Sequence, residues 1–343
     1  MCCRMLSGSS VGTRPRTDRY LASIETSHRR VAGVLRSEEF SPAVDARTDR
    51  VSSVLRLVVP KGSLERATFE LFESADLPIK RSSTVDYKAV IDDPRISEVR
   101  ILRPQEIPQY VSEGLFDLGI TGRDWVEETE SDVESLGELR YSKATSDPVK
   151  VVVAVAGDSP VTSVADLPQG VRVSTEYPSL TRRFFSRFGI DADVRLSYGA
   201  SEAKIPDIAD CIVDITETGR ALRAAGLRVI DTMLVSYTEV IANKASFGDP
   251  DKRHAMAQIM TLLLGTLDAR TKVLVKLNVS ADDLHGVLSV LPSAKSPTIS
   301  ELAGGGFAVE SVVEKRGINT LIPALKDAGA SDLLELPISK IVA

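Results

Sequence analysis

The sequence predicts an α/β protein of two lobes with a smaller α+β domain after them. Three observations carry this. From Leu55 onward, apolar runs of strand length alternate with helical stretches, and Gly, Pro or a hydroxyl residue punctuates the junctions. That alternation implies a mostly parallel sheet covered by helices. A second series of strands and helices restarts after a long apolar strand at 149–156, which implies a second lobe. Beyond residue 270 the order becomes strand, helix, strand, helix, strand, which reads as a split βαβ unit.

Residues 1–53 are rich in Ser and Arg without a helical or strand period, and predict a disordered N-terminal extension. Their arginines suit an organelle transit segment, but six acidic residues argue against one, and the stretch lacks the apolar core of a secretory signal. A solvated extension or an early start codon fits better. In the first lobe, residues 55–59 predict a strand, Pro60-Lys61-Gly62 a turn, and Ser63 a cap on a helix reaching Ala75. A strand at 98–102, a helix at 107–113 and a strand at 116–120 follow, and Thr121-Gly122-Arg123-Asp124 turns into the next helix. The second lobe takes strands at 149–156, 171–174, 193–196 and 211–215, with helices at 180–188 and 220–225. A strand at 235–243 returns the chain to the first lobe, followed by a helix at 251–270. The tail has strands at 272–279, 307–314 and 333–341 and helices at 282–291 and 318–328. The expected domains are 54–150 with 236–270 (lobe I), 151–235 (lobe II) and 271–343.

A chain of 343 residues, 43% hydrophobic and 26% charged, is globular and long enough for two or three domains. No apolar run approaches the roughly 20 residues that span a bilayer, so a membrane role is not expected. Cys2, Cys3 and Cys211 fit neither a metal-ligand spacing nor a disulfide framework, which points to a reducing cytoplasm. Residues 1–53 hold nine arginines against six acidic residues, so the rest is more acidic than the overall −6 suggests. Nucleic acid is therefore not an expected partner, and anionic ligands must be held locally.

The stretch from Asp210 to Gly219 says most about chemistry. Cys211, Ile212, Val213 and Ile215 read as a buried strand and residues 220–225 as a helix ending at Gly226, with Thr216, Glu217, Thr218 and Gly219 in the turn between. The first helical N–H groups lack intrahelical partners and the macrodipole favours negative charge, so such a turn holds a phosphate without a dedicated basic side chain. The threonine hydroxyls add donors, Gly219 lets the backbone approach closely, and Asp214 or Glu217 can accept from ribose hydroxyls. An ordinary capped turn uses the same residue types, so this stretch alone decides nothing.

Lys61 precedes a helix start and Arg103 ends a strand, both where open α/β sheets place anionic ligands. A solvated lysine reads the same way. The 121–124 turn is a second candidate anion site. Tyr177, after a strand, is available to cover an aromatic base, while Arg182 and Arg183 read as a solvated face. Glu202 and Lys204 lie just before the main motif and can pair with each other. In the folded part, His254 and His285 both fall in predicted helices, so a Ser-His-Asp triad and a histidine-rich metal site lack their parts. Neither GxGxxG nor GxxxxGK[ST] occurs. What remains, an anion grip with carboxylates, suits group transfer from a sugar phosphate by placement and electrostatics.

From Leu55 to its end the chain resembles ATP phosphoribosyltransferase, the first enzyme of histidine biosynthesis. The resemblance rests on residues 59–65 (Val-Pro-Lys-Gly-Ser-Leu-Glu), 102–108, 116–125, the 210–219 loop and 241–244 (Ile-Ala-Asn-Lys), in order. Residues 291–300 look like the signature of the long form of the family. The resemblance implies a two-lobed core like a type II periplasmic binding protein, a ferredoxin-like regulatory domain, and homodimer and homohexamer assembly without a regulatory partner subunit. It further implies transfer of the phosphoribosyl group of phosphoribosyl pyrophosphate to N1 of the adenine of ATP, releasing pyrophosphate with Mg²⁺ present, and feedback inhibition by histidine.

Carried over by position, the resemblance gives Asp210, Asp214, Thr216, Glu217, Thr218, Gly219, Arg220 and Ala221 to phosphoribosyl pyrophosphate. Lys61, Arg103 and Glu202 become electrostatic groups at the pyrophosphate, and Lys61, Gly62 and Tyr177 serve ATP. Mg²⁺ rides mainly on substrate phosphates, with Glu202 as its protein contact. Asn278, Ser296 and Thr298 become the histidine site. One departure stands out: Ala221 has no hydroxyl where the family often has Thr, so weaker phosphate affinity is expected, by a hydrogen bond of roughly 1.5–3 kcal/mol to a charged group. The competing reading is a non-catalytic two-lobed ligand-binding protein, since that architecture is shared. A third, a decayed core serving the tail domain, sits badly with an intact Lys61 and 210–219 loop.

Overall fold

The computed structural model describes residues 54–141, 148–292 and 296–342. The expectation for residues 1–53 lies outside them, as does the middle of the 291–300 segment. Lobe I begins with β1 (Leu55–Pro60), α1 (Glu65–Ser74), β2 (Lys88–Ala89), β3 (Ile96–Leu102), α2 (Ile107–Ser112), β4 (Leu118–Gly122), α3 (Arg123–Thr129) and β5 (Val133–Leu139). Lobe II holds β6 (Val149–Ala156), β7 (Arg172–Thr175), α4 (Pro178–Ser186), β8 (Asp193–Leu196), β9 (Cys211–Thr216), α5 (Arg220–Ala224) and β10 (Leu227–Ser236). The chain returns through β11 (Thr238–Asn243), α6 (Lys244–Gly248) and α7 (Pro250–Ala269). The last domain is β12 (Lys272–Val279), α8 (Leu284–Val290), β13 (Thr298–Glu301), β14 (Phe307–Glu314), α9 (Ile318–Asp327) and β15 (Ser331–Pro337).

The lobe I sheet runs β2-β3-β1-β4-β11-β5. β1 is parallel to β3 and β4, while β11 is antiparallel to β4 and β5. In lobe II the order is β10-β6-β9-β7-β8, parallel from β9 to β8 and antiparallel at β6 and β10. Both sheets are thus mixed rather than mostly parallel. Strands reached by helical crossovers run parallel, whereas the strand that enters each lobe from the other, β11 in lobe I and β6 in lobe II, runs against them. The insertion of the returning β11 between β4 and β5 matches the type II periplasmic-binding-protein-like core.

The single strand expected at 235–243 is two. β10 ends at Ser236, paired with Val149 of lobe II, and β11 begins at Thr238, paired with Gly122 and Leu139 of lobe I. Tyr237 is the crossing point, and beside it the Thr238 hydroxyl donates to the Tyr141 carbonyl at 3.1 Å, tying the two crossing segments together. A run of β-prone residues carries no mark of which sheet each half joins. Ser63 is not the cap expected: the helix starts at Glu65 behind Leu64, without a side-chain cap. Gly62, with φ +91°, turns the chain there, and Glu65 reaches back to its N–H at 3.4 Å.

Five of the six β1 residues are buried, as a central strand covered on both faces requires. Helix α7 lays Ala255, Met256, Ile259, Met260 and Leu263 on one side of this sheet, in the core with Leu57, Phe72 and Val99. Pro250 and the Asp249 carboxylate, which accepts from the Asp251 and Lys252 N–H groups, start it. In the last domain the order β13-β14-β12-β15 is wholly antiparallel, and with its two helices makes the ferredoxin-like βαββαβ arrangement. Val273, Val275, Leu277 and Val279 alternate inward under α8 and α9, leaving the other sheet face open. No helix among the described residues is long and apolar enough to cross a membrane.

Candidate active site

A cleft of about 380 Å³ lies between the lobes. From lobe I it is lined by Ser63, Gln105, Gly122, Asp124 and Trp125, and from lobe II by Glu176, Tyr177 and residues 215–217; Ser236, Tyr237 and Thr238 form its floor. These residues follow or end β1, β3, β4, β7 and β9, so the carboxyl ends of the parallel strands of both lobes face one space.

The turn after β9 is built from the residues the sequence singles out. Gly219 has φ +71°, which a side chain rarely tolerates. The Thr216 hydroxyl accepts from the Gly219 N–H at 2.8 Å and that of Thr218 from the Arg220 N–H at 3.4 Å, while the Arg223 guanidinium donates to the Thr218 carbonyl at 2.9 Å. Each hydroxyl thereby uses an acceptor lone pair and keeps its own proton to donate outward. Ala221 stands in the first turn of α5, where N–H groups have no intrahelical partner.

At the carboxyl end of β9, burial raises the Asp214 carboxyl pKa above its ordinary value, and the Glu202 charge raises it further. Glu176 is likewise pushed up, first by burial and then by Asp214 and Asp124. Glu202 does not pair with Lys204, whose ammonium instead meets the hydroxyls of Ser174, at 3.3 Å, and Ser197. Asp210 sits at the other end of the strand, a strand's length from the turn. Arg172 holds it at 2.7 Å, together with that residue's own N–H at 2.9 Å. The structure therefore does not bring Asp210 to the turn.

In lobe I, Lys61 and Arg103 follow adjacent parallel strands, joined by the Lys61 N–H to Leu102 carbonyl bond of 2.6 Å. The Lys61 ammonium lies 4.0 Å from the centre of the Tyr87 ring, and Lys61, then Arg103, lowers the Tyr87 phenol pKa. Gly62 begins the segment leading to Ser63 in the cleft. Tyr177 is placed otherwise than expected. It is 2% exposed, its ring 4.5 Å from that of Trp125 and its hydroxyl donating to Asp124 at 2.8 Å, so it presents no free face to a base.

Asp124 enters the sequence reading only as the last residue of the second candidate anion turn, and a buried carboxylate does not suit an anion. It is buried, its pKa raised by that burial, and it accepts from Ser236 at 2.6 Å as well as from Tyr177. Gln105 escapes the sequence, although its buried Oε1 finds no partner among the described residues. Their signal was only position: both follow a strand end, the rule that picked out Arg103. In the last domain Asn278 and Thr298 lie on the open sheet face, on either side of β14, with Asn278 donating to Asp332 at 2.9 Å. Ser296 is exposed just before β13.

The chain is similar to known proteins over most of its length. The family model for ATP phosphoribosyltransferase matches residues 103–265, and that for the HisG C-terminal domain matches residues 269–340. A curated ATP phosphoribosyltransferase of Pelotomaculum thermopropionicum is 46% identical over 289 residues, covering 84% of this chain and 99% of the relative. One from Thermodesulfovibrio yellowstonii is 46% identical over 290 residues, covering 84% and 98%. Among solved structures, the ATP phosphoribosyl transferase (HisG:HisZ) complex from Thermotoga maritima aligns with a TM-score of 0.54 and 25% identity, covering 63% of this chain and 99% of that one.

Proposed function

The chain belongs to the ATP phosphoribosyltransferase family, in the long form that carries both the catalytic core and the C-terminal domain, and from that premise we propose how its cleft performs the transfer. It is an enzyme that transfers a phosphoribosyl group to ATP. The acceptor atom is N1 of adenine and the donor is phosphoribosyl pyrophosphate. The N1 lone pair attacks C1′ as the C1′–O bond breaks, the bonding pair leaves with pyrophosphate, and the anomeric carbon inverts.

The observation that carries this reading is the turn at residues 216–221, with two hydroxyls already oriented by backbone N–H groups and a helix start behind them. The donor's 5-phosphate sits there, on outward hydroxyl protons and the Ala221 N–H. Asp214, at the adjoining strand end, accepts from the ribose hydroxyls, with Glu217 beside it. Positive charge grows on the ribose as the bond breaks, and Asp214 and Glu176 place negative charge near it. Lys61 and Arg103 meet the leaving pyrophosphate and the ATP phosphates, and Gln105 Oε1 is an acceptor for the adenine amino group.

Among the described residues no three His, Cys, Asp or Glu side chains group as a metal cage. Mg²⁺ would be carried on substrate phosphates with one protein carboxylate, for which Glu202 is the candidate. Bound there, Mg²⁺ supplies charge neutralisation to the phosphates.

Histidine inhibits from the last domain, at Asn278, Ser296 and Thr298, and the open sheet face there, bearing Leu334 and Leu336, supports self-association into dimers and hexamers. Purified full-length protein mixed with ATP, phosphoribosyl pyrophosphate and Mg²⁺ will yield pyrophosphate and a phosphoribosyl-ATP mass; the absence of both refutes the transfer. A chain cut near Arg270 that stays active and remains inhibited by histidine would refute the regulatory assignment.

A further inference from the structure

A second cavity, of about 320 Å³, lies on the opposite side of α3 from the cleft. Helical spacing separates the two. Arg123, Val126, Glu127 and Glu130, at i, i+3, i+4 and i+7, face the second cavity, while Asp124 and Trp125 line the first. Its far wall is β5 and β11, and Arg183 of α4 reaches in from lobe II.

Its charges do not balance. Arg123 donates to Glu127 at 2.6 Å and to Glu239 Oε1 at 3.4 Å. Arg183 is taken up by the Glu130 carboxylate and the Glu127 carbonyl. Two guanidinium groups thus meet three carboxylates, a surplus of one negative charge. That surplus has a definite place: Glu239 on β11 is 5% exposed and lines the cavity, and its Oε2 has no hydrogen-bond partner among the described residues. Burial raises the Glu239 carboxyl pKa, and the Arg123 charge and the Ser135 hydroxyl work against that rise. A buried carboxylate oxygen left without a donor keeps its desolvation cost unrepaid, so a ligand that supplies donors and a positive charge recovers it. Val126 and Val133 give the same space apolar wall.

We infer that this cavity is a binding site for a small organic cation, a primary ammonium on a short alkyl chain, with Glu239 Oε2 as its anchor. The cation donates to that oxygen and cancels the surplus charge, and its chain packs on the valines. Because α3 also lines the cleft, and Glu128 at its end accepts from the Ser179 and Leu180 N–H groups of α4, an occupant bears on the contact between the lobes.

The test needs no substrate, so it stands or falls apart from the transferase reading. Full-length protein is titrated with n-propylammonium chloride, followed by thermal unfolding and calorimetry against sodium chloride of equal ionic strength. Wild type should be stabilised progressively with concentration. Glu239→Gln should weaken binding about tenfold or more, and Ser135→Leu, which fills the cavity from another strand, should abolish it. Tetrapropylammonium, without N–H donors, should not bind. No stabilisation of wild type, an equal response to both ammonium salts, or an unchanged response in whichever variant folds would each overturn the assignment.

Discussion

The two ends of β9 carry the same residue type in opposite circumstances. At the amino end, Asp210 is fully engaged: Arg172 offers its guanidinium and its backbone N–H, and the carboxyl pKa is lowered, chiefly by that side-chain bond. At the carboxyl end, Asp214 accepts from the Ile215 N–H at 2.7 Å and from the Ser201 hydroxyl, but burial and the Glu202 charge raise its pKa. A protein stabilising itself alone would not arrange the second end so. An aspartate without a cation partner among the described residues, next to the Ile215 that lines the cleft, fits the role proposed for it as an acceptor for ribose hydroxyls.

The same substitution at each end should separate stability from activity. Asp214→Asn removes the charged acceptor, and kcat/KM should fall roughly 10- to 100-fold, from the roughly 1.5–3 kcal/mol of a hydrogen bond to a charged group. Its stability should move the other way. An acid whose folded pKa is raised binds its proton more tightly when folded, so stability declines as pH rises from the ordinary carboxylate range through the raised folded value. At neutral pH the Asn variant should therefore melt no lower than wild type, and a lower melting temperature would contradict this reading of Asp214. In wild type, kcat/KM should fall on acidification at a pH above the usual aspartate range.

Asp117 extends the comparison to a buried acid that is satisfied. Arg56, Lys252 and Ser246 surround it and bring its pKa down to about 2 despite burial. Its folded value is depressed, so its contribution is fully present above the ordinary value of about 3.8 and is lost as pH falls through about 2. Asp117→Asn should cost about 2 kcal/mol in denaturant unfolding at neutral pH, and the gap from wild type should close across that acidic window. A smaller change is expected at the turn. Thr218→Val should raise the KM for phosphoribosyl pyrophosphate up to about tenfold with kcat little altered, and unchanged kinetics would move the phosphate elsewhere. The smallest belongs to Asp210→Asn, which should lose less than about 1 kcal/mol, since its pair with Arg172 is half exposed, and leave the kinetics unchanged.

Much of this was legible in the sequence because it is local. The buried run Cys211, Ile212 and Val213, ending on Thr and Gly before a helix, reports both a strand end and the turn proposed to hold the phosphate. Strands 193–196, 272–279 and 307–314 were placed to the residue, since each is bounded by turn formers or alternates in hydrophobicity. What escaped is long-range. Asp124 reads as an ordinary acid near a helix start, and its burial is set by Tyr177 and Ser236, 53 and 112 positions away. Residues 227–234 of strand β10 are not legible because polar residues interrupt the apolar pattern, and the strand is held by pairing with β6. Tyr177 was expected in the open because its strand-end position is visible locally, whereas the Trp125 ring that covers it is not.

The most direct test is a structure of the full-length protein with phosphoribosyl pyrophosphate and Mg²⁺. The 5-phosphate should lie about 3 Å from the Thr218 hydroxyl and the Ala221 N–H, with the ribose hydroxyls on Asp214. A donor bound with its 5-phosphate against Lys61 and Arg103, leaving the turn after β9 unused, would contradict it.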